Sequence, residues 1–103
     1  MNHYVISYIG GDQPATPEEG KAHFANYQKW LAGLGEAAVK PMVPYNNTHT
    51  IHADGSVTEG SAVAITGHTV VQAKTIEEVI EMAKSCPFLE LNGKLEIAEM
   101  VQM

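Results

Sequence analysis

The sequence predicts an α+β fold. Three observations carry that expectation: two segments that open with helix-capping boxes, four runs that read as strands, the first of them β-branched and aromatic throughout most of its length, and the order in which the two kinds alternate. The chain has 103 residues, 45% hydrophobic and 17% charged, which fits one domain spanning residues 1–103 with a small core.

Residues 3–9 (His3-Tyr4-Val5-Ile6-Ser7-Tyr8-Ile9) end at Gly10-Gly11-Asp12 and read as a strand and a turn. Thr16-Pro17-Glu18-Glu19 follows. Threonine can cap a helix, proline suits its first position, and Glu19 completes the box. At 100° per residue, His23, Phe24, Tyr27, Trp30, Leu31 and Leu34 share one face, so this helix is amphipathic and stops at Gly35. Residues 36–43 read as a second strand, at a sheet edge because Pro41 lacks a backbone donor. Residues 48–53 and 56–59 flank Asp54-Gly55 and predict an inserted, tightly turned hairpin. Residues 65–73 form another strand and lead to a second box, Thr75-Ile76-Glu77-Glu78. Ile76, Val79, Ile80 and Ala83 then keep a helical period that Pro87 breaks. Leu95 to Val101, after the Asn92-Gly93 turn, closes the chain as a strand.

This order is the ferredoxin-like βαββαβ arrangement with a hairpin insertion: an antiparallel sheet with two helices on one face. Alternation places Tyr4, Ile6 and Tyr8 on one side of the first strand and His3, Val5, Ser7 and Ile9 on the other. Residues 65–73 divide likewise into Thr69, Val71, Ala73 and His68, Val70, Gln72. Both parities carry apolar residues, but two helices cover only one face. Val5, Ile9, Val70 and Met100 therefore need a second copy of the chain against them, and a homodimer through the sheet face away from the helices is expected.

All six basic residues are lysines, against twelve acids and a net charge of -6. Without arginine the chain lacks the usual bidentate phosphate clamp, which argues against nucleic acid as a partner. No apolar run reaches the ~20 residues of a membrane span, and Met1-Asn2-His3 does not resemble a signal peptide, so no membrane partner and a cytoplasmic location are expected. Cys86 is the single cysteine, compatible with a reducing compartment.

The first strand with Gly10-Gly11, the helix carrying Trp30, the hairpin with Val57-Thr58-Glu59-Gly60, and Ser85-Cys86-Pro87-Phe88 before the strand with Glu96 resemble the YCII-related (DGPF-type) proteins over nearly the whole chain. The resemblance implies a dimeric α+β barrel, in which two ferredoxin-like subunits join their sheets. Departures from the family pattern mark a divergent member: the Asp-Gly-Pro-Phe signature is Glu59-Gly60-Ser61-Ala62 here, and the arginine after the last-strand glutamate falls near Ala98. Some relatives use a histidine on the first helix with an aspartate. That histidine corresponds to His23 or to a position near Ala25 or Tyr27. A few relatives dehalogenate chlorinated aromatic compounds.

The five histidines are the main chemical resource, since imidazole titrates near neutrality and can serve as general acid or base. The strands carrying His3 and His68 are expected to be adjacent and parallel, which would bring these two side by side with Ser7 and Gln72. Glu96 shares that face and would orient an imidazole. His23 borders any pocket between helix and sheet. His68, His23 and His3 are thus the candidate catalytic residues, and Tyr4, Ser7, Tyr8, Tyr27, Trp30 and Glu96 the candidate substrate-binding ones. Each also has a plain structural explanation as a core or boundary residue. His49 and His52, three apart on a strand, point to opposite faces, so no metal is expected, nor any cofactor. Asp54 is explained by its turn. Cys86, at a helix C-terminus where the dipole disfavours thiolate, reads as a small buried hydrophobe. Two functions remain: a cofactor-independent enzyme moving protons by histidine on a small aromatic or cyclic molecule in a dimer cavity, and a non-catalytic ligand-binding or accessory dimeric module.

Overall fold

The computed structural model describes residues 1–101. Six strands, β1 (Asn2–Gly10), β2 (Ala38–Pro44), β3 (His49–Ile51), β4 (Val57–Glu59), β5 (Ile65–Ala73) and β6 (Gly93–Glu99), alternate with α1 (Pro17–Leu34) and α2 (Ile76–Lys84). Short 3₁₀ turns occupy Gly35–Ala37 and Pro87–Leu91. Four strands form one antiparallel sheet in the order β2-β5-β1-β6, and β3 and β4 form a separate hairpin. This is the ferredoxin-like α+β architecture.

Both helices start as their caps dictate, with a shared variation. Thr16 Oγ1 accepts the Glu19 N–H at 3.1 Å and Thr75 Oγ1 accepts the Glu78 N–H at 3.3 Å. The returning glutamates bond one residue upstream of the caps, Glu19 to the Ala15 N–H and Glu78 to the Lys74 N–H. The Asp54-Gly55 turn is wider than a two-residue hairpin turn. Gly55 donates to His52 O at 2.9 Å, and His52 in turn donates to Ser56 O at 2.8 Å. Pro41 does sit on an edge strand, since β2 pairs only with β5, and the register shifts along that pairing.

Strand alternation decides what is buried. Tyr4, Ile6 and Tyr8 of β1 and Thr69, Val71 and Ala73 of β5 face the helices, each at 2% exposure or less, whereas Val5, Ile9 and Val70 on the opposite face are half-buried. Trp30 donates its indole N–H to Met82 O at 3.0 Å, fastening α1 to α2 above this core. Phe24, on the apolar parity of α1, is nevertheless 58% exposed, because it lies over a cavity rather than against the sheet. The molecule measures 44 × 42 × 18 Å, and its radius of gyration, 14.9 Å, exceeds the about 13 Å of a compact chain of this length. It is a slab with one sheet face uncovered by its own helices.

The expected side-by-side placement of His3 and His68 does not occur. β1 and β5 are adjacent but antiparallel, because the chain enters β5 after β2 and lies between β1 and β2 with reversed direction. His3 is paired with Gln72 and His68 with Ser7, so the two histidines lie four residues apart along the sheet, about 13 Å.

The segment Pro87–Leu91 packs by close approach. The Phe88 ring occupies the space that a side chain at Gly93 would fill, and a Cβ at Gly11 would come within 2.9 Å of it. Gly93→Ala is expected to destabilise the fold by about 1–3 kcal/mol in denaturant melts, since the ring must move, and adding Phe88→Leu should recover part of that loss.

Candidate functional site

The helix-facing side of the sheet holds a cavity of about 580 Å³ at the C-terminal end of β1. Each element around it contributes a wall. Tyr8 comes from the sheet, and α1 supplies His23, Phe24, Tyr27, Gln28 and Leu31. Pro41, Met42 and Pro44 of β2 close one side, Phe88 and Leu91 another, and Asp12, Gln13 and Pro14 form the rim. The lining is mostly carbon with few polar groups, the usual makeup of a small-molecule site.

His23 follows from the helix period: it lies one turn before Tyr27, on the stripe that faces the sheet, but beyond the sheet's packed centre. Its side chain is half-buried and makes no hydrogen bond among the described residues. Asp12, on the same rim, is held by two bonds. Its carboxylate accepts from Asn92 Nδ2 at 2.6 Å, and its N–H donates to Leu91 O at 2.6 Å.

Deeper in, Tyr8 Oη lies 2.5 Å from Tyr27 Oη and 2.6 Å from Thr69 Oγ1. The two phenol rings meet edge to face with centroids 5.9 Å apart, and Phe88 meets Tyr8 the same way at 5.3 Å. Burial raises the Tyr8 phenol far above its ordinary range, the Thr69 hydroxyl opposing and Tyr27 adding to the rise. Burial likewise raises Tyr27, against the pull of the neighbouring Thr69 and Tyr8 hydroxyls. Both are therefore neutral donors at physiological pH. Cys86 packs with these tyrosines at 2% exposure, and burial pushes its thiol up to about 11 from 9.0, with a backbone hydrogen bond from Phe88 partly opposing.

The sheet divides the residues singled out in the sequence. His23, Tyr8 and Tyr27 line the cavity. Tyr4 and Trp30 belong to the adjoining core and do not reach it. His3, Ser7, His68 and Glu96 lie on the opposite, open face, where Ser7 pairs with His68 on one side and Glu96 on the other. No hydrogen bond joins His68 to Glu96 there. Instead, Tyr45 Oη lies 2.5 Å from His68 Nδ1. The cavity thus lies on the helix-facing side of the sheet and not on the open face. His49 and His52 bond locally in the hairpin, to Asn47 O at 2.9 Å and Thr58 Oγ1 at 3.1 Å. Thr69, Phe88, Met42 and Asp12 were not anticipated as site residues. Only Thr69 left a trace in the sequence, as a hydroxyl on the same inward parity as Val71 and Ala73.

No protein-family model and no curated protein matches the chain. Among solved structures, it is similar to 5-chloro-2-hydroxyhydroquinone dehydrochlorinase from Burkholderia phenoliruptrix AC1100, a structure in complex with 2,5-dihydroxybenzoquinone. The likeness has a TM-score of 0.59 and covers 98% of this chain and 95% of that one at 14% identity. What the two share at that identity is the ferredoxin-like α+β fold.

The raised Cys86 pKa has a defined pH consequence. Below about pH 9 the thiol is neutral whether folded or unfolded. Between 9.0 and about 11 the unfolded chain loses the proton that the folded chain keeps, so folding stability falls across that window. Denaturant melts are expected to show a shallower decline from pH 9 to 11 for Cys86→Ala than for the unmodified chain. Iodoacetamide should alkylate Cys86 readily only when urea unfolds the protein.

Proposed function

We propose that the chain binds a small, flat, largely apolar organic molecule in the cavity beneath α1 and that His23 moves a proton on it. The observation that carries this reading is a half-buried imidazole without a hydrogen-bond partner among the described residues, on the wall of a cavity of about 580 Å³. Ligand sites commonly hold about 300–1,000 Å³, so a single aromatic ring fits with room to spare. An imidazole whose nitrogens are not committed elsewhere can accept or donate a proton as the ligand requires. The dehydrochlorinase of similar fold, solved in complex with 2,5-dihydroxybenzoquinone, supports a cyclic oxygenated compound as the ligand class. Together with the residues that resemble the YCII-related proteins, it supports assigning the chain to that family as a divergent member. No cofactor or metal is invoked.

A binding-only module is the second reading, favoured by one observation: no side chain of the described residues orients the His23 ring by a hydrogen bond. The two readings part on kinetics. With 2,5-dihydroxybenzoquinone as the calorimetric probe and a panel of small aromatic and lactone compounds for turnover, His23→Ala should keep the probe's Kd within about threefold. The same substitution should lower kcat/KM at least about tenfold, worth about 1.4 kcal/mol. Unchanged turnover removes His23 from the chemistry and leaves binding alone.

The open sheet face supports a homodimer. Val5 and Val70 are cross-strand partners at its centre, flanked by Ile9 and Met100, and a second copy would cover them. The His3, His68, Ser7 and Glu96 side chains would then lie within or beside that interface, away from each protomer's cavity. Mass measurement at micromolar concentration should give twice the 11.1 kDa protomer, and Val70→Glu should give the protomer itself with the fold retained. A monomeric unmodified chain would refute the assembly.

A further inference from the structure

Three hydroxyls meet at the inner end of the cavity, and their protons do not balance. Tyr8 Oη is 2.5 Å from Tyr27 Oη and 2.6 Å from Thr69 Oγ1, whereas Tyr27 Oη and Thr69 Oγ1 are 3.4 Å apart. Hydroxyl pairs bond well at about 2.5–3.0 Å, so the first two contacts are hydrogen bonds and the third is loose. Three hydroxyls bring three protons, and two bonds use two of them. Among the described residues no carbonyl or carboxylate accepts the third.

The position of the spare proton follows from burial. With Tyr27 donating to Tyr8 and Tyr8 to Thr69, it would sit on Thr69, which is 0% exposed and not part of the cavity wall, and it would be sealed without an acceptor. The alternatives have Thr69 donating to Tyr8. Either Tyr8 then donates to Tyr27, or Tyr8 accepts from both neighbours. In each case the spare proton lies on a tyrosine of the cavity wall. Burial keeps both phenols protonated, so the donor persists through the physiological pH range.

We propose that the Tyr8–Tyr27 pair is an oxygen-recognition site, donating one hydrogen bond to a carbonyl or phenolate oxygen of the bound molecule, while the carbon-lined walls receive its ring. The inference rests on the reading of the cavity as a ligand site and narrows its ligand to a cyclic or aromatic compound bearing such an oxygen. A donor fixed in place before the ligand arrives also stabilises negative charge that grows on that oxygen when a proton is taken from a neighbouring atom.

Acetophenone and α-methylstyrene test this, because they share a shape and differ in having C=O or C=CH₂. Titrations of the whole protein followed by NMR shifts of the cavity residues should show acetophenone binding about tenfold more tightly. In Tyr27→Phe or Tyr8→Phe the preference should fall to about twofold while α-methylstyrene binds as before, which also reports an intact cavity. A preference that survives in both variants, or none in the unmodified chain, overturns the inference and leaves the cavity reading standing. Absence of binding by either probe overturns both. Should a variant lose α-methylstyrene as well, the unmodified chain decides: equal affinities for the two probes overturn the proposal, and a preference upholds it.

Discussion

A phenol hydroxyl cannot be buried at the centre of a sheet without partners, and most of this structure depends on how Tyr8 finds them. Tyr8 is 1% exposed, and its hydroxyl is partnered from two directions, by Thr69 on the neighbouring strand and by Tyr27 on the helix above. These bonds join β1, β5 and α1 at one point. They set the height of α1 over the sheet, while the Trp30 indole bond to Met82 O sets its position beside α2. With the helix held there, the turns of α1 before Tyr27 overhang the end of β1 instead of packing on it, and the cavity with His23 on its wall is the result.

The remaining side of that cavity is built by a residue with no regular element of its own. Phe88 lies in the Pro87–Leu91 turn, where Pro87 ends the α2 region and directs the chain back toward β1. Its ring can stack edge-on against Tyr8 only because Gly11 and Gly93 offer no side chains at the places it occupies. Asn92, immediately after, holds the Asp12 carboxylate at the rim. One short turn thus fixes a wall, a rim charge and the edge of the aromatic cluster. Electrostatically the interior is quiet: burial keeps Tyr8, Tyr27 and Cys86 neutral, and the ionisable side chains among the cavity's lining residues besides the two tyrosines are the His23 imidazole and the Asp12 carboxylate at the rim.

Local signals were legible residue by residue. The two threonine caps, the proline that marks an edge strand, and the alternating parities of β1 and β5 all appear in the structure as the amino-acid pattern predicts. Strand direction was not: placing His3 beside His68 required the β1–β5 pairing to be parallel, and the chain path makes it antiparallel. The candidate site was half legible. His23, Tyr8 and Tyr27 share a stripe or a parity that points inward, which periodicity reveals, whereas Phe88, Met42 and Asp12 arrive from distant segments and carry no periodic mark.

The elements, their order and the inward side of each were written in the amino-acid pattern, because capping, proline geometry and side-chain period act over four residues or fewer. Which inward side chains pack and which leave a space was settled by the folded arrangement. That outcome depends on where α1 comes to rest over the sheet, and its resting place is set by contacts between residues as far apart as Tyr8 and Thr69.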